Sequence, residues 1–189
     1  MALDLRHPDH APTDAPVHDD EAHAGEGGAG GEMLRAVMRR VASPVTVVTA
    51  ASGGERRGAT IGSFTSVSLD PPLISFNVQK DSSLHAALLG ADTFAVHLLS
   101  ETQADLANHF AVPDLTSEEQ FRDVAHGTAQ GGAPILPDTF GVLHCERYAV
   151  HDAGDHSLFL GRVLRVTEAE AAGPLLYYDR SYRAVGGEV

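Results

Sequence analysis

At 189 residues the chain is long enough for one domain with one substantial core, and its net charge of −13 argues against nucleic acid or an anionic membrane as a partner. No apolar run reaches the roughly 18–20 residues that cross a bilayer, and the N-terminus lacks the basic start and short apolar block of a secretory signal, so a soluble, cytoplasmic protein is expected. The single cysteine, Cys145, can form no internal disulfide and sits in an alternating, strand-like run as a small buried hydrophobe.

Along the chain, residues 1–32 come first, with eight acids and one base, Arg6, leaving −6 for the remainder. Pro8, Pro12, Pro16 and the glycine-rich tract 25–31 break up this segment, and no apolar periodicity runs through it. It reads as a disordered or loosely docked acidic tail ahead of a domain over residues 33–189. His7, His10, His18 and His23 lie among its carboxylates; their spacing matches no closed metal site, which favours a solvated tail over a metal-binding one.

Leu34, Val37, Met38 and Val41 recur at helical spacing, and Ser43-Pro44 should end that helix. The β-branched run 45–50 predicts a strand buried on both faces. After a Ser52-Gly-Gly54 turn, a second strand is expected over 57–67, closed by Asp70-Pro-Pro72, and a third over 73–78. Residues 81–89 predict a short helix capped by Asp81 or Ser82, with Leu84, Ala87 and Leu88 inward. A fourth strand is expected over 93–99. Ser100-Glu-Thr-Gln103 has capping-box spacing and should start a helix with Leu106, Ala107 and Phe110 inward. Residues 112–140 read as irregular. Two long strands, 140–150 and 156–168, read as a hairpin around Asp152-Ala-Gly-Asp155, and residues 174–178 as a last short strand. Strands in neighbouring pairs, with too few helices for repeated crossovers, argue for an antiparallel barrel with helical additions.

No GxGxxG follows a strand, and GxxxxGK[ST], HExxH, CxxC and GxSxG are absent from the sequence. Three clusters can carry chemistry. The strand from Gly58 holds Thr60, Ser63, Thr65 and Ser66 and two glycines, with Thr46 on the strand before it. Its hydroxyls and peptide groups suit the donor-and-acceptor edge of a flavin ring, and its glycines allow close approach; a half-exposed ribbon with its alcohols in water is the plain alternative. Lys80-Asp-Ser-Ser83 sits at a helix start, where a phosphate or an ordinary N-cap is accommodated equally well, and Asp81 should turn away from a phosphate. His151-Asp-Ala-Gly-Asp-His156 gathers two histidines and two aspartates across a turn. A metal site, a pocket in which His156 makes hydrogen bonds, and a plain hairpin all remain open there.

Taken in order, Ser43-Pro-Val-Thr-Val-Val-Thr49, Gly58-x-Thr-x-x-Ser-Phe-x-Ser-Val-Ser-Leu-Asp-Pro-Pro-Leu73, Gln103-x-x-Leu-Ala-x-x-Phe110, His151-Asp-x-Gly-Asp-His156 and Pro174-Leu-Leu-Tyr-Tyr178 resemble the short-chain flavin reductase family, the reductase components of two-component flavin-dependent monooxygenases. The resemblance spans about residues 34–186. It implies an FMN-binding split β-barrel of Greek-key form, working as a homodimer. It also implies an NAD(P)H:flavin oxidoreductase that uses FMN or FAD with NADH or NADPH and hands reduced flavin to a partner monooxygenase. Carried over residue by residue, it implies flavin against Thr60, Ile61, Gly62, Ser63 and Ser66, with Pro44, Val45 and Thr46 to one side. The phosphate end would meet Ser82 and Ser83. His156 would be the catalytic residue on the nicotinamide side, near His151 and Gly154, and Tyr178 and Tyr182 would close the pocket. No metal ligand is implied. Family members often have a glycine before the last tyrosine, whereas Tyr178-Asp-Arg-Ser-Tyr182 has none. Two other readings are a flavin- or haem-binding split-barrel protein without turnover, which need not keep the Gly-Asp-His hairpin, and a metal-dependent enzyme using His151, Asp155 and His156.

Overall fold

The computed structural model describes residues 27–169 and 173–186, and the chain divides into two compact units, Met1–Met38 and Arg39–Val189. Most of the predicted acidic tail, with its four histidines, lies outside the described residues. In the first unit a helix, α1, runs over Gly27–Met38. It begins six residues before Met33, inside the glycine-rich tract, and it stops before Val41. Extending an existing helix is far less costly than nucleating one, so the apolar stripe carries glycines that would not start a helix themselves.

In the second unit β1 is Ser43–Pro44 and β2 is Thr46–Ser52. Residues 46–50 are fully buried, and alternation along β2 divides them between two cores. Val48 and Ala50 join one cluster with Phe76, Phe94 and Phe159, while Val45 and Val47 join another with Leu99, Phe110, Phe121 and Leu175. Both buried threonines spend their hydroxyls internally. Thr46 Oγ1 donates to the Ile61 carbonyl at 2.8 Å, and Thr49 Oγ1 to that of Pro134 at 2.7 Å.

The long second strand expected over 57–67 is two strands, β3 (Glu55–Ile61) and β4 (Thr65–Leu69), because its halves pair with different neighbours. β3 pairs with β2, and β4 with β5, which is Pro72–Gln79. Then follow α2 (Ser83–Gly90), β6 (Thr93–Leu98), α3 (Ala104–Phe110) and α4 (Ser117–Phe121). Two-residue strands β7 (Gly127–Thr128) and β8 (Pro134–Ile135) pair with each other. The hairpin β9 (Gly141–Ala153) and β10 (His156–Glu168) comes next, and the short strands β11 (Leu176–Tyr178) and β12 (Ser181–Arg183) end the unit.

The seven-stranded antiparallel sheet has the order β3-β2-β6-β9-β10-β5-β4. Its two edge strands are consecutive in sequence. Six strand spacings would separate the edges of a flat sheet by about 29 Å, yet three residues, Gly62 to Phe64, can reach at most about 15 Å. The sheet must therefore curl until its edges approach, and α2 packs Leu84, Ala87 and Leu88 into the core it encloses. The mainly-β class expected from the sequence is the class observed. Among the described residues no ladder joins β3 to β4, and Ser63, in the link between them, is tied instead to β5. Its Oγ accepts from the Asn77 N–H at 2.9 Å. Among the described residues no helix is long and apolar enough to cross a membrane.

Two helix starts differ from expectation. Gln103 Oε1 accepts from the Ser100 N–H at 3.0 Å, as in a capping box, but the Ser100 hydroxyl pairs with Thr102 and α3 starts only at Ala104. The complete box belongs to α4, where the Thr116 hydroxyl and Glu119 cap each other within a stretch read as irregular.

Candidate functional site

Three cavities, of about 480, 470 and 410 Å³, meet at the end of β3. Thr60 and Ile61 line all three, so they form one trough with three chambers, within a single compact unit. Each chamber alone falls in the size range of small-molecule sites.

Edge pairing sets what the trough offers. The outer edge of β3 is covered at Gly58, whose N–H donates to Gln120 Oε1 at 3.2 Å and whose carbonyl accepts from Gln120 Nε2 at 3.0 Å. With a strand period of two, the peptide groups of Thr60 and Gly62 point toward the same edge, where no further strand lies among the described residues. That edge is a row of backbone donors and acceptors. The Thr60 hydroxyl itself is used, donating to the Ala107 carbonyl at 2.6 Å. Gly58 is a glycine for packing: a Cβ there would sit 2.7 Å from the buried Phe110 ring.

The first chamber lies between the start of α2 and residues 111–114. Ser82 caps α2, its Oγ accepting from the His85 N–H at 3.2 Å and donating to the Gln79 carbonyl at 2.8 Å. Ser82 and Ser83 both line the chamber, beside the first N–H groups of a helix, which have no partner within it. Asp81 also lines the chamber instead of turning away from it.

The second chamber is walled by Ser43, Val45 and the β11–β12 hairpin. Tyr177 and Tyr182 meet edge to face there, their ring centroids 5.3 Å apart. Burial pushes the Tyr182 phenol pKa up, and the neighbouring Tyr177 adds to this. Strand alternation puts Tyr177, not Tyr178, in the lining of the chamber, with both rings partly open to solvent.

The third chamber is lined by Gly62, Ser63, Asn77, Ala153 and His156. His156 also lines the first. Its Nδ1 lies 2.7 Å from Asp155 Oδ1, and donation from the ring holds the Asp155 carboxyl below the usual carboxylate range. Nε2 is then the polar atom of the ring left for another partner. The turn that carries His156 is tied to β5. Lys80 Nζ lies 2.7 Å from Asp152 Oδ2, and the Lys80 N–H donates to the Asp155 carbonyl at 3.0 Å.

Of the residues named from sequence, Val45, Thr60, Ile61, Gly62, Ser63, Ser82, Ser83, His156 and Tyr182 line the trough. Six do not. Thr46 is wholly buried with its hydroxyl on Ile61. Pro44 pairs with Leu176 and faces outward. Ser66 lies on β4, opposite Ile74 and exposed. His151 is an exposed residue opposite Leu158, Gly154 is the exposed tip of the β9–β10 turn, and Tyr178 is on the far face of β11. The metal alternative finds no support in the hairpin, because Asp152 is engaged by Lys80 and Asp155 by His156. Among the described residues no group of three or more His, Cys, Asp or Glu converges. Cys145 is buried, its thiol pushed up to about 12 by desolvation, and so is no nucleophile.

Asn77, Tyr177, Arg180, Gln120 and the 111–114 wall were not legible as site residues. Only the Thr116-x-x-Glu119 box offered a signal, by marking a helix in a segment that otherwise reads as loop.

The flavin reductase like domain model matches residues 38–186. The chain belongs to that family. Among curated relatives of this flavin reductase chain is an FMN reductase (NADH) of Agrobacterium fabrum, 38% identical over 144 residues, covering 76% of this chain and 80% of the relative. Another is the reductase component of a 4-hydroxyphenylacetate 3-monooxygenase of Thermus thermophilus, 36% identical over 152 residues, covering 80% and 95%. A solved NADH:FAD oxidoreductase of Streptomyces globisporus, in complex with NAD and FAD fragments, superposes with a TM-score of 0.77 at 36% identity, covering 84% of this chain and 94% of that one.

Proposed function

We propose that this chain is an NAD(P)H:flavin oxidoreductase that reduces FMN or FAD and supplies the reduced flavin to a partner monooxygenase. One observation carries the reading: in a flavin reductase family chain, an open peptide edge at Thr60–Gly62 floors a trough bounded by the start of α2 on one side and by His156 on the other. The residues present fit a flavin. Its pyrimidine edge needs alternating donors and acceptors, which the free edge of β3 provides, and its phosphate suits the first N–H groups of α2 with Ser83.

When bound, the flavin and the nicotinamide would supply the redox chemistry themselves, as hydride transfer, so no side-chain nucleophile is needed. The chain's task is positioning. Thr60 is locked to α3 through Ala107, and Gln120 holds β3 straight at Gly58, so the edge is rigid before a ligand arrives. The peptide N–H groups of that edge stabilise negative charge developing against them. His156, oriented by Asp155, holds Nε2 toward the nicotinamide side. Tyr182 and Tyr177 cover the second chamber.

The same reading takes the protein as a cytoplasmic homodimer that meets its oxygenase through diffusing reduced flavin. The broad openings of the trough favour release of that flavin. Mixing the protein with NADH or NADPH and with FMN, FAD or riboflavin, and following the nicotinamide absorbance band, tests the activity. Catalytic loss of that band is expected with at least one pair. Flavin binding without any nicotinamide oxidation would replace the reading with a flavin carrier.

A further inference from the structure

The trough is charged unevenly. Asp81 and Asp114 line its first chamber. Among the described residues, Arg180 is the one Lys or Arg that lines any of the three chambers. Three cations on or beside β3 and β5 are engaged elsewhere. Arg56 lies over the Phe121 ring and donates to His126, Arg57 pairs with Glu55, and Lys80 with Asp152. Arg183, next on the same hairpin, is exposed and does not line the trough.

Arg180 also holds an unusual backbone position. β11 and β12 are joined by the two-residue turn Asp179-Arg180, whose φ angles are +46° and +63°. Tight hairpins of this kind favour glycine, and a residue with a Cβ in the left-handed region costs roughly 1–2 kcal/mol. Strain retained at the mouth of a cavity is a pointer to function. The turn is also pinned in place. The Asp179 N–H donates to the Arg39 carbonyl at 2.8 Å, β11 pairs with β1 through Tyr177 and Ser43, and Tyr177 packs on Tyr182. A long cation is thus carried on a rigid mount over the second chamber, in a chain whose net charge of −13 repels anions at a distance.

We propose that Arg180 is the phosphate-recognition residue of the trough, binding the phosphate group of a nucleotide ligand through its guanidinium. The flavin phosphate and the diphosphate of the nicotinamide dinucleotide share this chemistry. Because the start of α2 already suits one phosphate in the first chamber, the dinucleotide diphosphate is the expected occupant of the second. This assignment rests on the reading of the chain as a nucleotide-using flavin reductase.

Arg180→Gln keeps a side chain at the same backbone position and removes the charge. Equilibrium binding, by quenching of flavin fluorescence for riboflavin, FMN and FAD and by calorimetry for ADP-ribose, reads the effect without turnover. Loss of about tenfold in ADP-ribose affinity is expected, the size of one charge-assisted contact at a half-open site, with riboflavin and the melting temperature unchanged and Arg180→Lys recovering part of the loss. FMN and FAD weakened with ADP-ribose unchanged would uphold the phosphate assignment and move it to the flavin. Unchanged affinity for every phosphate-bearing ligand, or riboflavin weakened as much as FMN, would overturn it. If wild-type protein binds these ligands through Arg180 but oxidises no nicotinamide, the reductase reading fails and the Arg180 assignment stands.

Discussion

Gln120 pairs with Gly58 as a neighbouring strand would: its carboxamide both donates to and accepts from the Gly58 peptide. Its own carbonyl accepts from His109 Nε2 at 2.8 Å, so one buried residue ties α4 to the edge of β3 and to the end of α3. Those elements frame the first chamber. In Gln120→Ala both Gly58 groups lose their partner at a buried position, and a loss of roughly 2–4 kcal/mol of stability is expected. Flavin affinity should fall with it, because the 111–114 wall is no longer held. Denaturant unfolding and a flavin titration on the same variant check both, and unaltered flavin affinity would separate the wall from the binding site.

Thr46 stands where the sequence suggested a ligand contact, but the structure gives it a different task. It is fully buried and donates to the Ile61 carbonyl, holding the last residue of β3 from behind. Thr46→Val preserves shape and removes that donor. A stability loss of about 1–2 kcal/mol is expected, with less than a twofold change in flavin affinity. A large loss of flavin binding in a protein of near-normal stability would return Thr46 to the ligand surface.

His97 makes folding sensitive to acid. Its Nδ1–H donates to the Val47 carbonyl at 2.9 Å, and its Nε2 accepts from the Leu136 N–H at 3.1 Å, so the folded chain needs the neutral ring. Burial lowers its pKa from 6.5 to about 4, against the smaller opposing effect of the Val47 carbonyl. With the folded pKa depressed, the unfolded chain binds the proton first. Stability is therefore full above pH 6.5, falls between pH 6.5 and 4, and levels below that, by roughly 3 kcal/mol in all. Denaturant midpoints across that range should show the slope, and NMR titration of the imidazole should show no protonation above pH 5. A ring that titrates near 6.5 in the folded protein would remove the effect.

How much of this was readable from the chain depends on how local its cause is. The β2 run, the α2 helix with its Ser82 cap and the Gly154-Asp155 hairpin follow from neighbouring residues, and each was expected. The split of the second strand was not, since Gly62 to Phe64 break it only because β3 and β4 have partners at opposite ends of the sheet order. The same applies at the site. Thr60, Ser82 and His156 were visible as residue types in a pattern. Gln120 and Asn77 were not, because their roles arise from a segment 62 residues from Gly58 and from a hydrogen bond to Ser63 across 14 residues of sequence. Which tyrosine faces the second chamber was a question of strand phase, settled by the pairing of Tyr177 with both Ser43 and Tyr182.

His156 and Asp155 give the most direct test of how the trough works. The ring is partly exposed beside a surface turn, so His156→Ala should fold normally. If Nε2 holds the nicotinamide, its loss removes one hydrogen bond to that ligand, and kcat/KM for NADH should drop by about tenfold with flavin affinity little changed. Asp155→Asn is the finer probe. Asn keeps an acceptor for Nδ1–H but removes the charge that now aligns the ring, and the effect on NADH should have the same direction and be several times smaller. Steady-state kinetics at saturating flavin measure both variants. NADH kinetics identical to wild type in His156→Ala would take the hairpin out of the nicotinamide side. An Asp155→Asn defect larger than that of His156→Ala would mean that the carboxylate acts on the ligand itself and not through the ring.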